Sequence, residues 1–247
     1  MWDDAAVDWS RYDLVVIRST WDYTGKVDAF LAWADSVPRL LNPADVVRWN
    51  HDKRYLAALQ AKGVPTVPTA FLAPGEPVDL TEDRRYVVKP TVSAGANDTM
   101  AGDAGAVMRH VRSLHRSGRT AMVQPYLEGI DERGETAIVY IADAFSHAAG
   151  KRPVLGHARF PDGTLEPEHV TPRDATTAEL DLAEQVLDTI PFDRSSLLYA
   201  RVDLIPGPDG DPVLLELELI EPSLFLDQSP GGRAAARFAA SISAVLA

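Results

Sequence analysis

Short apolar segments bounded by polar residues alternate with amphipathic stretches along this chain, and together they predict both strands and helices. The apolar segments predict strands at 13–18, 86–89 and 121–124, an extended stretch at 64–72, and hairpins of 135–141 with 144–151 and of 197–205 with 213–220. Helical spacing predicts helices at 27–37, 52–61, 103–116, 175–190 and 231–246, with Asp103 as the N-cap of the third and a Thr as the N-cap of the fourth. Hairpins interleaved with helices indicate an α+β (mixed α/β) fold and not an all-parallel sheet.

Composition excludes several classes of function. The chain has 247 residues, no cysteine, and a net charge of −12 from 24 basic and 36 acidic side chains. The acidic balance argues against binding nucleic acid or an anionic membrane, although a nucleotide site needs only a few local cations. The lack of cysteine excludes disulfides, thiolate metal sites and cysteine nucleophiles. Since no membrane-length apolar segment and no signal-peptide pattern is found, we expect a cytoplasmic protein.

Three acidic residues fall on the two strands of the second predicted hairpin. Glu216 and Glu218 are two positions apart, so they share one face of their strand. If the hairpin closes across its Pro- and Gly-rich turn, Asp203 can lie beside them. Three carboxylates on one face repel one another unless a cation lies between them, and hard oxygen ligands suit Mg²⁺. The alternative is a half-exposed strand with its acids in water; the Arg201-x-Asp203 segment favours the metal site.

Two further segments have the composition of a nucleotide site. Lys89 ends a short strand next to a loop of small residues, 91–97, whose N–H groups could approach a phosphate. The loop lacks P-loop spacing, and a flexible loop with a solvent-reaching lysine is the alternative. Gln124 ends another apolar strand, where free backbone groups could bind a purine edge, and Asp131 follows within ribose reach. The alternative for this second segment is an ordinary linker.

The order of the motifs is more specific than any one of them. They run Asn50-x-Asp52-Lys53, Val87-Val88-Lys89-Pro90, Val123-Gln124-Pro125-Tyr126-Leu127, Lys151, Arg201-x-Asp203 and Glu216-x-Glu218. Over residues 46–247 this set resembles the ATP-grasp superfamily of carboxylate–amine or carboxylate–thiol ligases. The resemblance implies an ATP-grasp fold, with two α+β subdomains enclosing the nucleotide behind an N-terminal α/β domain.

The resemblance also implies roles for the matching residues. Those implied to hold ATP are Lys53, Lys89, Ser93, Gly95 and Lys151 at the phosphates, Gln124, Tyr126 and Leu127 at the adenine, and Asp131, where the family usually has Glu, at the ribose. Those implied to hold Mg²⁺, or Mn²⁺ in its place, are Asp203, Glu216 and Glu218, the last often Asn in the family. Arg201 would stabilise the acyl phosphate and the tetrahedral oxyanion, with Lys151 as the second catalytic residue.

Further segments resemble the branch that contains the cyclo-ligase of D-cycloserine biosynthesis. They are Ile17-Arg18-Ser19-Thr20-Trp21-Asp22-Tyr23, Asn50-x-Asp52-Lys53-x-Tyr55-Leu56, Ser146-His147-Ala148 with Lys151, and Glu218-Leu-Ile-Glu221-Pro222-Ser223. The residues this resemblance offers for an amino-acid-like substrate are Arg18, Trp21, Tyr23, Glu221 and Ser223. The alternative for these five is packing between subdomains.

The resemblance predicts two domains. Residues 1–45 would be a remnant of the N-terminal α/β domain, since the family normally opens with an additional strand–helix unit. Residues 46–247 would form the ATP-grasp domain, with one subdomain around 86–126 covering ATP and another at 127–247 carrying the metal ligands.

These observations predict an ATP- and Mg²⁺-dependent ligase that activates a substrate carboxylate as an acyl phosphate for capture by an amine. Ring closure within one small molecule, as in antibiotic biosynthesis, is one form of this reaction. An ATP-grasp kinase and a non-catalytic nucleotide-binding module are the alternatives. We expect a small amino-acid-like substrate, no nucleic acid and no membrane as partners, with a homodimer left open.

Overall fold

Two antiparallel sheets, a two-stranded parallel sheet of Val15–Val16 with Leu40–Leu41, and covering helices form the fold, described for residues 1–77, 79–152 and 169–246 in a computed structural model. The strands are β1 (Val15–Val16), β2 (Leu40–Leu41), β3 (Ala70–Leu72), β4 (Arg85–Pro90), β5 (Met100–Asp103), β6 (Ala121–Pro125), β7 (Glu135–Ile141), β8 (Ala144–Lys151), β9 (Val170–Arg173), β10 (Tyr199–Pro206) and β11 (Pro212–Glu218). The helices are α1 (Val27–Ser36), α2 (Ala44–Asn50), α3 (Tyr55–Ala61), α4 (Ala104–Arg116), α5 (Gly129–Arg133), α6 (Thr177–Thr189) and α7 (Arg233–Leu246). The predicted mixed α/β character is confirmed.

The larger sheet has five strands in the order β11-β10-β7-β8-β9, and it contains both predicted hairpins. Helix α6, which begins with a capping box at Thr176, covers one face, where Val186 packs in a core that includes Ile138 and Val202. On the opposite face α7 packs beside Val139 at one end of the sheet. The other end of that face stays open and carries the polar residues described below.

The smaller sheet has four strands in the order β3-β6-β4-β5. Helix α4 covers one of its faces, because Val107 and Val111 pack with Val88 in one apolar core. The predicted cap of this helix is confirmed, since Asp103 Oδ1 accepts a 2.7 Å hydrogen bond from the Ala106 N–H. Alternation along β4 then turns Lys89 to the uncovered face.

The N-terminal segment packs around aromatic side chains and is tied to the larger sheet by buried amides. Trp2 and Phe30 meet edge to face with ring centroids 5.1 Å apart. Asn50, at the end of α2, donates to the Leu217 carbonyl at 2.8 Å and accepts from the Leu219 N–H at 2.9 Å. These two bonds fix β11 against the N-terminal part of the chain.

Several element boundaries differ from the sequence prediction. The predicted helix at 52–61 begins only at Tyr55, because the preceding residues form a tighter turn in which the Tyr55 N–H donates to the Asp52 carbonyl at 3.2 Å. The separate helix α2 and strands β5 and β9 were not predicted, and the extended 64–72 contributes only three residues to a strand. Within the described parts of the chain, no helix combines the length and hydropathy that a membrane span requires.

Candidate active site

A cavity of about 390 Å³ lies between the two sheets. The smaller sheet contributes Lys89 and Gln124, and the larger sheet contributes side chains from four of its strands, β7, β8, β10 and β11. The predicted site residues that line it are Trp21, Tyr23, Lys53, Lys89, Ser93, Gly95, Gln124, Tyr126, Leu127, Lys151, Arg201, Asp203, Glu216, Glu218, Glu221 and Ser223. Arg18 and Asp131 are the two predicted residues outside the lining.

Strand register places the predicted acids together. Asp203 lies directly opposite Glu216, and Arg201 lies opposite Glu218, in the antiparallel pair of β10 and β11. Opposite residues of an antiparallel pair share a face, as do residues two apart, so all four side chains lie on one face. The shared face expected from the spacing of Glu216 and Glu218 is confirmed.

Each of these carboxylates contacts a basic side chain. Glu216 forms ion pairs with Lys53 at 3.0 Å and with Lys89 at 3.1 Å. The pair with Lys89 joins the two sheets across the cavity. Arg201 forks onto Asp203 through two 2.8 Å bonds and also contacts Glu218. The lysines implied to bind phosphate are therefore paired with acids implied to bind metal.

Burial and neighbouring charge push the pKa values of these acids apart. Burial would raise the pKa of Glu216, but Lys53 and Lys89 outweigh it and lower that pKa to about 2. Burial would also raise the pKa of Asp203, but the charges of Arg201 and Lys151 outweigh burial and lower that pKa. Burial raises the pKa of Glu218 to about 7, against the charge of Arg201. The face thus holds strongly ionised and readily protonated carboxyls side by side.

Glu135 is a cavity residue that the sequence prediction missed. It begins β7 opposite Lys151 on β8, and the two side chains are joined by a 2.5 Å hydrogen bond. Burial, opposed by the charge of Lys151, raises the pKa of Glu135 to about 8. The preceding Gly134 has φ +71°, and a Cβ there would lie 2.6 Å from the Lys151 carbonyl oxygen. An acid directly after such a glycine, at the start of an otherwise apolar strand, is the signal that could have found it.

The residues implied to hold the nucleotide line the side of the cavity nearest the smaller sheet. Gln124 is buried and its amide donates to Thr69 Oγ1 at 2.9 Å. The Tyr126 ring lies under the Arg85 guanidinium, 4.1 Å from the ring centroid. Tyr126 also donates its hydroxyl hydrogen to Asp131 at 2.5 Å, which accounts for the placement of Asp131 behind the lining. The 91–97 loop is tied in by Lys53, whose ammonium donates to the Ser93 carbonyl at 2.7 Å.

Four of the five residues offered for an amino-acid-like substrate line the cavity. Tyr23 is buried, whereas Trp21 is 51% exposed, and both line the cavity with Glu221 and Ser223. Arg18 lies behind this wall and donates to the Pro222 carbonyl at 2.8 Å. Its contacts in this structure support the wall instead of facing the cavity.

The donor set at Asp203, Glu216 and Glu218 consists of hard carboxylate oxygens, which fits Mg²⁺. Among the described residues, no three or more His, Asp or Glu side chains already surround a common metal position. The ion pairs explain this, since each carboxylate is turned to a lysine or arginine. Metal binding at Glu216 would require Lys53 and Lys89 to turn away from this carboxylate.

Comparison with known proteins shows the family. Residues 1–42 match the model of the N-terminal domain of the D-cycloserine synthetase DcsG. The cycloserine biosynthesis protein DcsG of Streptomyces lavendulae is 37% identical over 262 residues, covering 98% of this chain and 86% of that protein. A crystal structure of D-cycloserine synthetase DcsG superposes with a TM-score of 0.83 at 35% identity, covering 100% of this chain and 88% of the other.

More distant solved structures share the fold. An ATP complex of D-alanine–D-alanine ligase from Bacillus anthracis has a TM-score of 0.64 at 16% identity, covering 95% of this chain and 78% of the other. The ATP-grasp ligase PsnB, solved with a minimal precursor variant, Mg and ADP, has a TM-score of 0.57 at 16% identity, covering 91% and 68%. Related ATP-grasp ligases thus hold nucleotide and magnesium on this fold. The chain belongs to the DcsG family of ATP-grasp ligases.

Proposed function

We propose that this chain uses ATP and Mg²⁺ to convert the carboxylate of a small amino-acid-like substrate into an acyl phosphate, which an amine then captures. A carboxylate oxygen attacks the γ-phosphorus and displaces ADP. The amine then attacks the acyl carbon and loses a proton, and the bond between that carbon and the phosphate oxygen breaks as phosphate leaves. The DcsG relatives, named for cycloserine, support an amine from the same molecule, so that capture closes a ring.

The ion pair between Lys89 and Glu216 is the observation that carries this proposal. It joins the two sheets across the cavity, and it puts the ammonium that we propose binds phosphate beside the carboxylate that we propose binds the metal. Phosphoryl transfer depends mainly on positioning and charge neutralisation, which such a mixed cluster supplies. When bound, Mg²⁺ would neutralise phosphate charge and orient the γ-phosphate.

Each basic residue has a defined task in this scheme. Lys53 and Lys89 would turn from Glu216 to phosphate oxygens, which leaves Glu216 free for the metal. Lys151 would turn away from Asp203 in the same way. Asp203 and Glu218 would contribute to the metal site while still in contact with Arg201. Arg201 presents a planar fork suited to the oxyanion that develops on the substrate carboxyl group. The arginine stays paired with Asp203, so its guanidinium is held in place before the reaction.

Turnover with a panel of small amino acids in both enantiomers tests the proposal. Protein, Mg·ATP and each amino acid are incubated, ADP is measured, and products are identified by mass. Loss of one water from a single substrate indicates ring closure, and loss of one water from two joined substrates indicates intermolecular ligation. A product that retains the phosphoryl group indicates a kinase. No ADP with any substrate would leave only nucleotide binding and refute the ligase.

A further inference from the structure

The Glu221 carboxyl group has no hydrogen-bond or ion-pair partner among the residues that the structure describes, although it is nearly buried. Glu221 follows β11, lines the cavity and is 9% exposed. Among the described residues, neither a hydrogen bond nor an ion pair involves its carboxyl oxygens. The other four carboxyls of the lining contact its lysines and arginine. Glu221 is therefore the acid of the described lining that no basic side chain contacts, although the charges of Lys53 and Arg201 are near enough to oppose the rise in its pKa.

The backbone that carries Glu221 is held rigidly by side chains. Five consecutive carbonyls, from Glu221 to Phe225, each accept a side-chain hydrogen bond. The donors, in chain order of the acceptors, are Trp21 Nε1 at 3.3 Å, Arg18 Nη1 at 2.8 Å, Arg201 Nη1 at 3.0 Å, and His147 Nε2 at 2.9 and 3.0 Å. Because carbonyls only accept, His147 carries its proton on Nε2. The backbone at Glu221 is thus held in place, so the ordering cost of binding a ligand there is confined to the side chain.

The surroundings of Glu221 are those of a site for an organic cation. The Trp21 indole donates to the Glu221 carbonyl and is half-exposed in the cavity wall. Tyr23 lies beside them, and its hydroxyl takes part in no hydrogen bond within the described parts of the chain. An aromatic wall next to a carboxylate attracts an ammonium group through both charge and ring quadrupole.

We propose that Glu221 binds the ammonium group of the substrate, with Trp21 and Tyr23 as its walls, and so selects amino acids over simple carboxylic acids. This inference rests on the proposed function, since it assigns one group of that substrate. The backbone carbonyl of Ser223, two residues further on, accepts a hydrogen bond from Arg201. The group that binds the ammonium and the group that faces the reacting carboxyl therefore belong to one rigid unit.

The electrostatics of the site agree with this assignment. Burial, and then the nearby charge of Glu218, raise the pKa of Glu221 to about 8. A cation in contact with Glu221 would offset the charge of Glu218 and favour the ionised form of the Glu221 carboxyl group. A bound ammonium would thus restore the charge balance that the lining lacks.

Pairs of small acids that differ only in the ammonium group test the proposal by binding, without requiring turnover. Wild type and Glu221→Gln, both with ADP and Mg²⁺, are titrated with alanine and serine in both enantiomers, and with propionate and 3-hydroxypropionate, while the melting temperature is followed. We expect wild type to bind at least one amino acid about tenfold more tightly than its deamino partner. Glu221→Gln removes that preference, and ADP affinity stays within about twofold.

Matched variants and a second readout keep the outcomes distinct. Glu82→Gln, at an exposed carboxyl outside the cavity, should keep the full preference. Glu221→Asp retains the charge and should keep part of it, which covers the case that the Gln variant fails to fold. A preference equal in wild type and Glu221→Gln, or absent from wild type, overturns the assignment. An intact preference without ADP release in turnover assays would refute the ligase proposal and leave the role of Glu221 standing.

Discussion

Replacing Arg201 by Met separates its part in holding buried charge from its proposed part in catalysis. The side chain is 4% exposed and forks onto Asp203, which is 2% exposed, through two 2.8 Å bonds. The variant leaves Asp203 with Lys151, 3.4 Å away, as its cationic neighbour among the described residues. Breaking a buried pair costs about 3–5 kcal/mol. Because Lys151 remains, we expect the lower end, about 3 kcal/mol.

Stability and turnover should both fall in this variant, by separable amounts. At about 2–4 °C per kcal/mol for a chain of this size, the melting temperature falls by about 6–12 °C. Loss of one oxyanion donor lowers kcat per folded molecule by about 10²–10³-fold. The Kd for ATP changes much less, because the charge that Arg201 faces develops in the transition state. The assay combines kcat well below the melting temperature, folded fraction by circular dichroism, and calorimetric ATP binding.

Two further variants sharpen the result. Arg201→Met with Asp203→Asn removes both charges, so most of the stability returns while activity stays lost. Arg119→Met breaks an exposed pair with Asp98 and should cost at most about 1 kcal/mol, with normal kcat. Normal kcat per folded Arg201→Met, with a lowered melting temperature, would refute the catalytic reasoning and leave Arg201 a structural role.

Three other perturbations test the site. Lys89→Ala should weaken ATP binding at least about tenfold in calorimetry, whereas the exposed Lys62→Ala should not; equal affinities would remove Lys89 from the site. Glu216→Gln should abolish most activity and reduce the Mg·ATP increase in melting temperature; a wild-type response would show a merely solvated strand face. Burial raises the pKa of Glu135 and Glu221 from 4.5 to about 8, so the folded state binds more protons and stability falls as pH rises across that window. Melting temperatures from pH 5 to 8 should show this fall, less steeply in Glu221→Gln; an unchanged slope would contradict the shift.

Strand geometry made part of the site predictable from the sequence. The period of two fixes the shared face of Glu216 and Glu218, and a short Pro- and Gly-rich turn brings β10 back beside them. The observed register, with Asp203 opposite Glu216, follows from those two facts. Both hairpins and the caps of α4 and α6 were predicted for the same reason, because they depend on local spacing and local hydrogen bonds.

Tertiary contacts determined what the sequence did not reveal. Glu135 gains its place from Lys151 on the neighbouring strand, and this register follows a bulge near Val139. The motif predicts that Arg18 lies near the substrate wall, but it does not determine the direction of the side chain. A hydrogen bond to the Pro222 carbonyl holds that side chain behind the wall. The first turn of the predicted helix at 52–61 is a tighter turn instead, and the Lys53 N–H within it donates to the distant Thr91 carbonyl. The division into domains at residue 45 and the roles of the individual site residues stay predictions.

Oxygen transfer from the substrate carboxylate to phosphate tests the central claim most directly. The substrate that supports ADP formation is prepared with ¹⁸O in both carboxylate oxygens and turned over with unlabelled Mg·ATP. Attack by the carboxylate on the γ-phosphorus predicts that each phosphate released carries one ¹⁸O and that the product keeps the other. Unlabelled phosphate, with both labels still in the product carboxylate, would contradict the acyl phosphate and with it the ligase mechanism.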